Sequence, residues 1–240
     1  MSDTNSTPRD AANWARKAES LRVAEWPAEA VNLNVDGRQA VGPLQGFGQL
    51  WQKTYRVRLE GCAATPEGVI AVWKANFPAF QPPQNRFFLS VAGVAPGEVV
   101  LINASLQGIP MQTGVLVLYA DEFSFTLMTP QGHPLSGWVT FSAWDEGGAT
   151  VAQVQSMARA NDPIYEIGFA LGGSAAQEAI WRHVLTSLAA HHGVTGQPVQ
   201  FEKQCVDRRL QWGQARNIWQ NAVLRSLLHA AAQPLRRAGR

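Results

Sequence analysis

A chain of 240 residues, 46% apolar and only 16% charged, is long enough for one folded body with a real core and too apolar for a disordered tract. A formal net charge of +2 excludes a molecule that reads nucleic acid through overall positive charge. Two cysteines, Cys62 and Cys205, are too few for a disulfide framework or a four-ligand zinc site, and they read as reduced thiols of a cytoplasmic protein.

The opening "MSDTNSTPRDAANWARKAES" lacks the apolar segment of a secretory signal, and no apolar run reaches the roughly 18–20 residues that span a bilayer. After a polar 1–9, residues 10–24 place Ala11, Trp14, Ala15, Ala18, Leu21 and Val23 at loose helical spacing and predict a helix. "DGRQAVGPLQGFGQ" reads as loop, and its Gly46-x-Gly48 lacks the third glycine and the preceding strand of a dinucleotide fingerprint. "WQKTYRVRL" alternates from Trp51 to Leu59 as a half-buried strand does. In "TPEGVIAVWKANF", Thr65 is an N-cap, Pro66 the first helical residue and Glu67 the acid of the first turn. Val69, Ile70, Val72, Trp73 and Phe77 give that helix one apolar face, and the prolines of "PAFQPPQNRFF" end it.

Strands follow at 97–105, 111–120, 124–129, 137–144 and 150–159. The links at Gln107-Gly108, Ala120–Glu122 and Asp145–Gly148 are short enough for hairpins, so the sheet is antiparallel. Helices do not alternate with these strands, which excludes a doubly wound fold. Ser174 and Gln177 form a capping-box pattern before a helix over 174–192, with Ile180, Trp181, Val184, Leu185 and Leu188 as its stripe and Gly193 at its end. A short strand, "QPVQFEKQCV", and an amphipathic helix from Gly213 to Gln233 complete the chain. Residues 203–240 carry Lys203, Arg208, Arg209, Arg216, Arg225, Arg236, Arg237 and Arg240 against Asp207 alone.

This order resembles the helix-grip fold of START-like proteins. "FTLMTPQGHPLSGWVTF", "TVAQVQSMARA" and the glutamine-bearing helix, over roughly 97–192, are similar to the family known as domain of unknown function 1990. Thr129, Gly132, His133, Pro134 and Gly137 stand at its turn, Ser156 and Arg159 near its strand end and Gln177 on its helix; Trp138 stands where that family has a glutamate. The resemblance implies an α+β fold in which a curved antiparallel sheet wraps a long C-terminal helix and leaves a cavity between them. The expected division is an N-terminal helix and irregular extension at 1–50, the helix-grip domain at 51–193, and a C-terminal strand with a basic amphipathic helix at 194–240. That family has no agreed reaction, so the resemblance bears on fold more than on function.

His133 is the one candidate catalytic residue, because an imidazole transfers protons near neutral pH, but no partner is adjacent in sequence. The competing reading is a turn histidine bonded to backbone. Candidate ligand contacts are Asn103, Thr129, Gln131, His133, Trp138, Trp144, Arg159 and Trp181, with Leu101, Val115 and Met128 as further walls. Walker A, H-E-x-x-H, G-x-S-x-G, C-x-x-C and EF-hand motifs are absent, and neither cofactor nor metal is expected. The leading expectation is binding of an apolar small molecule (lipid, isoprenoid or polyketide-like) in the cavity. One alternative is a cyclase, dehydratase or hydrolase using His133 in the same space. The other is a peripheral membrane or partner-helix contact through the basic 203–240.

Overall fold

Alternation along the first strand sends Trp51, Lys53, Tyr55, Val57 and Leu59 to one face, and Tyr55, Val57 and Leu59 are fully buried there. In the computed structural model, which describes residues 10–23, 26–106 and 108–238, this strand is β1 (Leu50–Leu59). The expectations for residues 1–9, Ala24, Gln107 and Arg240, and for the side chains of Gln233, Arg236 and Arg237, fall outside what is described.

Seven more strands join β1: β2 (Asn85–Phe88), β3 (Val99–Leu106), β4 (Ile109–Ala120), β5 (Ser124–Met128), β6 (Leu135–Glu146), β7 (Ala149–Ala160) and β8 (Gln200–Asp207). They form one sheet in the order β2-β3-β4-β5-β6-β7-β1-β8, with every neighbouring pair antiparallel. The register slips between Val117 and Tyr119, and Gly137 interrupts β6 with φ of 151°; both are places where a sheet bends. The sheet curls around α1 (Pro66–Ala75) and α3 (Ser174–His191), whose Val69, Ile70, Trp73, Val184, Leu185 and Leu188 are buried against its inner face. The fold is α+β and helix-grip.

Flanking segments cover the outer face. Leu21, Ala30 and Val35 pack on Val99 and Leu101, so the even and odd sides of β3 both lie in apolar surroundings. At the C-terminal end, a 3₁₀ segment (Trp212–Gln220) leads into α4 (Ala222–Ala238). Buried amides tie it down. Asn221 donates to the Asp162 carboxylate at 2.9 Å, and Asn217 to the carbonyls of Gln45 and Asn161 at 2.7 and 2.9 Å. Ala222 N–H donates to the Gly132 carbonyl at 2.9 Å and Val223 N–H to the Tyr165 hydroxyl at 3.1 Å. Gly132 has φ of +85°, and a Cβ there would lie 2.0 Å from the Gln220 carbonyl, so this turn admits only glycine.

Three local expectations are corrected. The helix over 10–24 is a 3₁₀ turn at Ala11–Asn13, after which Trp14 bridges Tyr119, the two rings tilted at 59° with centroids 4.7 Å apart. An alanine-rich stripe offers too little area to hold a helix on the sheet, whereas one tryptophan edge packs well. The long helix does not open on a Ser174–Gln177 capping box. It begins at α2 (Pro163–Gly168), where Asp162 accepts from the N–H groups of Ile164 and Tyr165, and passes through a wide turn at Phe169–Gly173 with Ser174 already helical. The helix over 213–233 is likewise two elements, because Asn221 leaves helical geometry and caps Leu224 N–H at 3.0 Å.

Candidate functional site

The hollow follows from a change of side-chain size along the strands. Across β5, β6, β7 and β1 one inner row carries Phe125, Phe141, Val154 and Tyr55. The next row carries Leu127, Val139, Ser156 and Lys53, and the one after it Gly137, Ala158 and Trp51. Trp73 and Phe77 close over the first row, with ring centroids 5.2 Å from Phe141 and 5.7 Å from Phe125. Opposite the small rows α3 presents Trp181, Ile180 and Gln177, which the sheet meets only in part, Phe141 reaching Trp181 at 5.7 Å between ring centroids and Lys53 reaching Gln177 at 2.9 Å.

Two adjoining chambers result. The inner one, about 160 Å³, is apolar, with Ile102, Val115, Leu127, Val139, Ile180 and Trp181 among its walls. The outer one, about 190 Å³, is lined by Trp51, Lys53, Glu166, Ser174 and Lys203. Leu135, Ser156, Ala158, Phe169 and Gln177 border both, so the two spaces lie side by side.

Two buried polar atoms on the inner chamber's wall have no protein partner: Thr113 Oγ1 on β4 and Trp181 Nε1 on α3. Buried polar groups are ordinarily bonded, so both atoms depart from the usual pairing at this wall. His133 borders the same chamber. Its Nδ1 lies 3.0 Å from the Leu135 nitrogen and 3.1 Å from the Leu135 carbonyl oxygen, so one tautomer accepts there and the other donates, and Nε2 is the ring nitrogen left for an occupant. Burial pushes its pKa down to about 4, against the opposing effect of the Leu135 backbone contact. At neutral pH this imidazole is uncharged.

In the outer chamber Lys53 Nζ donates to Ser174 Oγ at 2.8 Å and Gln177 Oε1 at 2.9 Å, with Glu178 at 3.8 Å. Burial lowers its pKa to about 8 although Glu178 pulls the other way. Its donors are already occupied by α3, and it fixes β1 to the helix at the rim of the hollow.

Of the other sequence candidates, Thr129, Trp138 and Trp181 border the inner chamber with His133. The Thr129 hydroxyl is spent on the Gly137 backbone, at 3.0 and 3.1 Å. The Trp138 ring approaches Gly42 on the outer face, alongside Met128. Gln131 pairs with Gln39 through backbone and side chain. Asn103 and Leu101 lie on the outer side of β3, where Asn103 bonds the Glu29 carbonyl at 2.9 Å. Trp144 shares the outer side of β6 with Trp138, by alternation. Arg159 borders the outer chamber; its terminal nitrogens bond the carbonyls of Gly48 and Arg209 and Asp207 at 3.2 Å, while its Nε is buried without a protein partner. Sequence reasoning missed Lys53, Thr113 and Ser156. Each is a polar residue inside an apolar alternating row, and that signal was present in "WQKTYRVRL", "MQTGVLVLYA" and "TVAQVQSMARA".

No family model and no curated protein matches the chain. Solved structures similar to it include a START superfamily protein from Mycobacterium smegmatis, at 19% identity and TM-score 0.44, over 61% of this chain and 98% of that one. The di-domain ARO/CYC StfQ of the steffimycin biosynthetic pathway matches at 11% identity and TM-score 0.47, over 60% of this chain. This match covers 51% of StfQ, so the chain spans about half that protein. The major latex-like protein 151 of Panax ginseng matches at 14% identity and TM-score 0.38, over 60% of this chain and 99% of that one. Among the described residues no helix is long and apolar enough to cross a membrane.

Proposed function

We propose that the chain binds a neutral, largely apolar small molecule that carries a hydrogen-bond acceptor. The observation that supports this reading is the pair Thr113 Oγ1 and Trp181 Nε1, buried and unpartnered in an apolar chamber, with the neutral His133 beside them. Trp181 donates and Thr113 and His133 are able to, so the fitting group is a carbonyl or ether oxygen. A carboxylate fits the apolar inner chamber poorly, because the cations Lys53, Arg159 and Lys203 border the outer chamber and Lys53 is engaged by α3. A space of 160 Å³ is close to the engineered cavity of about 150 Å³ that holds one benzene. The inner chamber therefore takes a ring-sized piece, and a larger molecule extends past Ser156 and Ala158 into the outer chamber. Residues 51–193 form the binding unit in this proposal, with 1–50 and 194–240 as its covering. The likeness of the His133 turn to the domain of unknown function 1990 family belongs to the same proposal. Binding is favoured over turnover, since burial holds the His133 pKa well below neutral.

Acetophenone and ethylbenzene test this reading, because they share a ring and differ in one acceptor oxygen. Wild-type protein is expected to bind acetophenone about tenfold more tightly, the worth of roughly one buried hydrogen bond. Trp181→Phe combined with Thr113→Val should erase that preference in a calorimetric or fluorescence titration. Equal affinity of the wild type for both compounds, or binding of neither, overturns the proposal.

A further inference from the structure

The C-terminal helix α4 packs inside out. Among its described side chains the buried ones are Ala222 and Ser226, one turn apart, and Ser226 Oγ accepts from Gln112 N–H at 3.0 Å. The described leucines face the other way: Leu224, Leu227 and Leu228 are exposed, Leu228 at 71%. A helix lying on a protein surface ordinarily buries its apolar stripe and exposes its polar one, so this stripe is directed at something else. The preceding 3₁₀ segment continues the pattern. Residues three apart eclipse in such a helix, and Arg216 and Trp219 are both exposed, Trp219 at 83%. Ile164, Ile167 and Leu171 on the neighbouring α2 and its wide turn are exposed as well, and Val223 N–H on the Tyr165 hydroxyl joins the two elements.

Charge identifies the occupant. Arg208, Arg209, Arg216 and Arg225 are exposed on this region. Its described acids are withdrawn: Asp162 is fully buried, Glu166 accepts from Gln49 N–H, and Asp207 is held by Arg159 and Arg209. A symmetric pair of copies would set the same arginines against one another. A lipid surface bearing phosphates neutralises them and receives the tryptophan and leucines together. We propose that this face seats the protein on an anionic membrane surface, with Trp219 and Leu228 at the headgroup boundary and Arg216 and Arg225 against lipid phosphates. The attachment is peripheral and stands whether or not the cavity holds a ligand.

The test is sedimentation of the full chain with vesicles of phosphatidylcholine, pure or mixed with phosphatidylglycerol. Binding is expected to the mixed vesicles only and to weaken as salt is raised. Trp219→Ser with Leu228→Ser should lower the partition by about tenfold or more, and Arg216→Gln by about fivefold. These side chains are exposed, so both variants should keep the wild-type melting temperature. The proposal is overturned if the protein ignores mixed vesicles or if the double variant binds as well as wild type. It is equally overturned if the protein doubles its mass without lipid and the double variant abolishes that doubling, which would assign the face to a second copy.

Discussion

The two ends of the space inside the sheet are built from the same strands and differ in almost everything else. At one end Trp73, Phe77, Phe125 and Phe141 interlock, with Phe125 and Phe141 stacked at 4.5 Å and the other rings meeting them edge-on. At the other, Gly137, Ser156 and Ala158 replace rings, and polar atoms border an open volume. The first end supplies cohesion through contact area. The second gives up that cohesion and retains hydrogen-bonding capacity, an exchange characteristic of binding sites.

Substitutions should separate the two ends, and the largest effect belongs to the filled one. Phe141→Ala, which removes a ring in contact with Trp73, Phe77, Phe125 and Trp181, is expected to cost about 4 kcal/mol in a denaturant titration. A loss below about 1 kcal/mol there would mean that the aromatic end is not the folding core.

The hollow end should announce itself through pH. The folded His133 resists protonation down to about pH 4, whereas the unfolded chain takes the proton near pH 6.5. Its stabilising contribution is therefore complete above pH 6.5 and is lost as pH falls from 6.5 towards 4. Wild type should lose up to about 3 kcal/mol across that window relative to His133→Asn, which keeps an acceptor for Leu135 N–H. Parallel pH–stability curves for the two proteins would show that His133 is not buried against the chamber.

Ser156→Leu should fill space where the chambers adjoin, change stability by no more than about 1 kcal/mol and abolish acetophenone binding. A loss of several kcal/mol would mean that no space was there. The smallest effect is expected from Thr113→Val, which removes an unpaired hydroxyl and should raise stability by up to about 1 kcal/mol. Destabilisation instead would reveal a hydrogen bond to that oxygen.

Much of the architecture was legible in the residues because alternation and turn chemistry are local. Thr65-Pro66 opens α1 as expected, and β1 and β3–β7 lie close to their expected spans. Alternation sorts a strand into two sides but does not say which is inside. In β3, Val99, Leu101 and Asn103 formed a believable inner row, yet the N-terminal segment buries that row from outside through Leu21 and Val35. The same ambiguity placed Arg159 among ligand contacts, although its partners Gly48 and Arg209 come from chain segments far away in sequence. β2 is only four residues, Asn85–Phe88, and sits in a proline-rich passage that carries no alternation of its own. The inverted face of α4 had no local signature either, since a stripe of leucines looks the same whether it points in or out.

The turn at Gly132 has a consequence for the order in which the molecule is completed. Its carbonyl receives Ala222 N–H, while Asn217 and Asn221 reach Asn161 and Asp162 beside it. Residues 212–226 leave the ribosome after every strand and after α3, so vectorial synthesis finishes the vessel before it delivers the clasp. Until that clasp engages, the Asp162 carboxylate keeps its water and the floor of the His133 turn stays uncovered. The turn is thus fastened by residues that follow every strand in chain order, through several bonds together rather than by any single strong one.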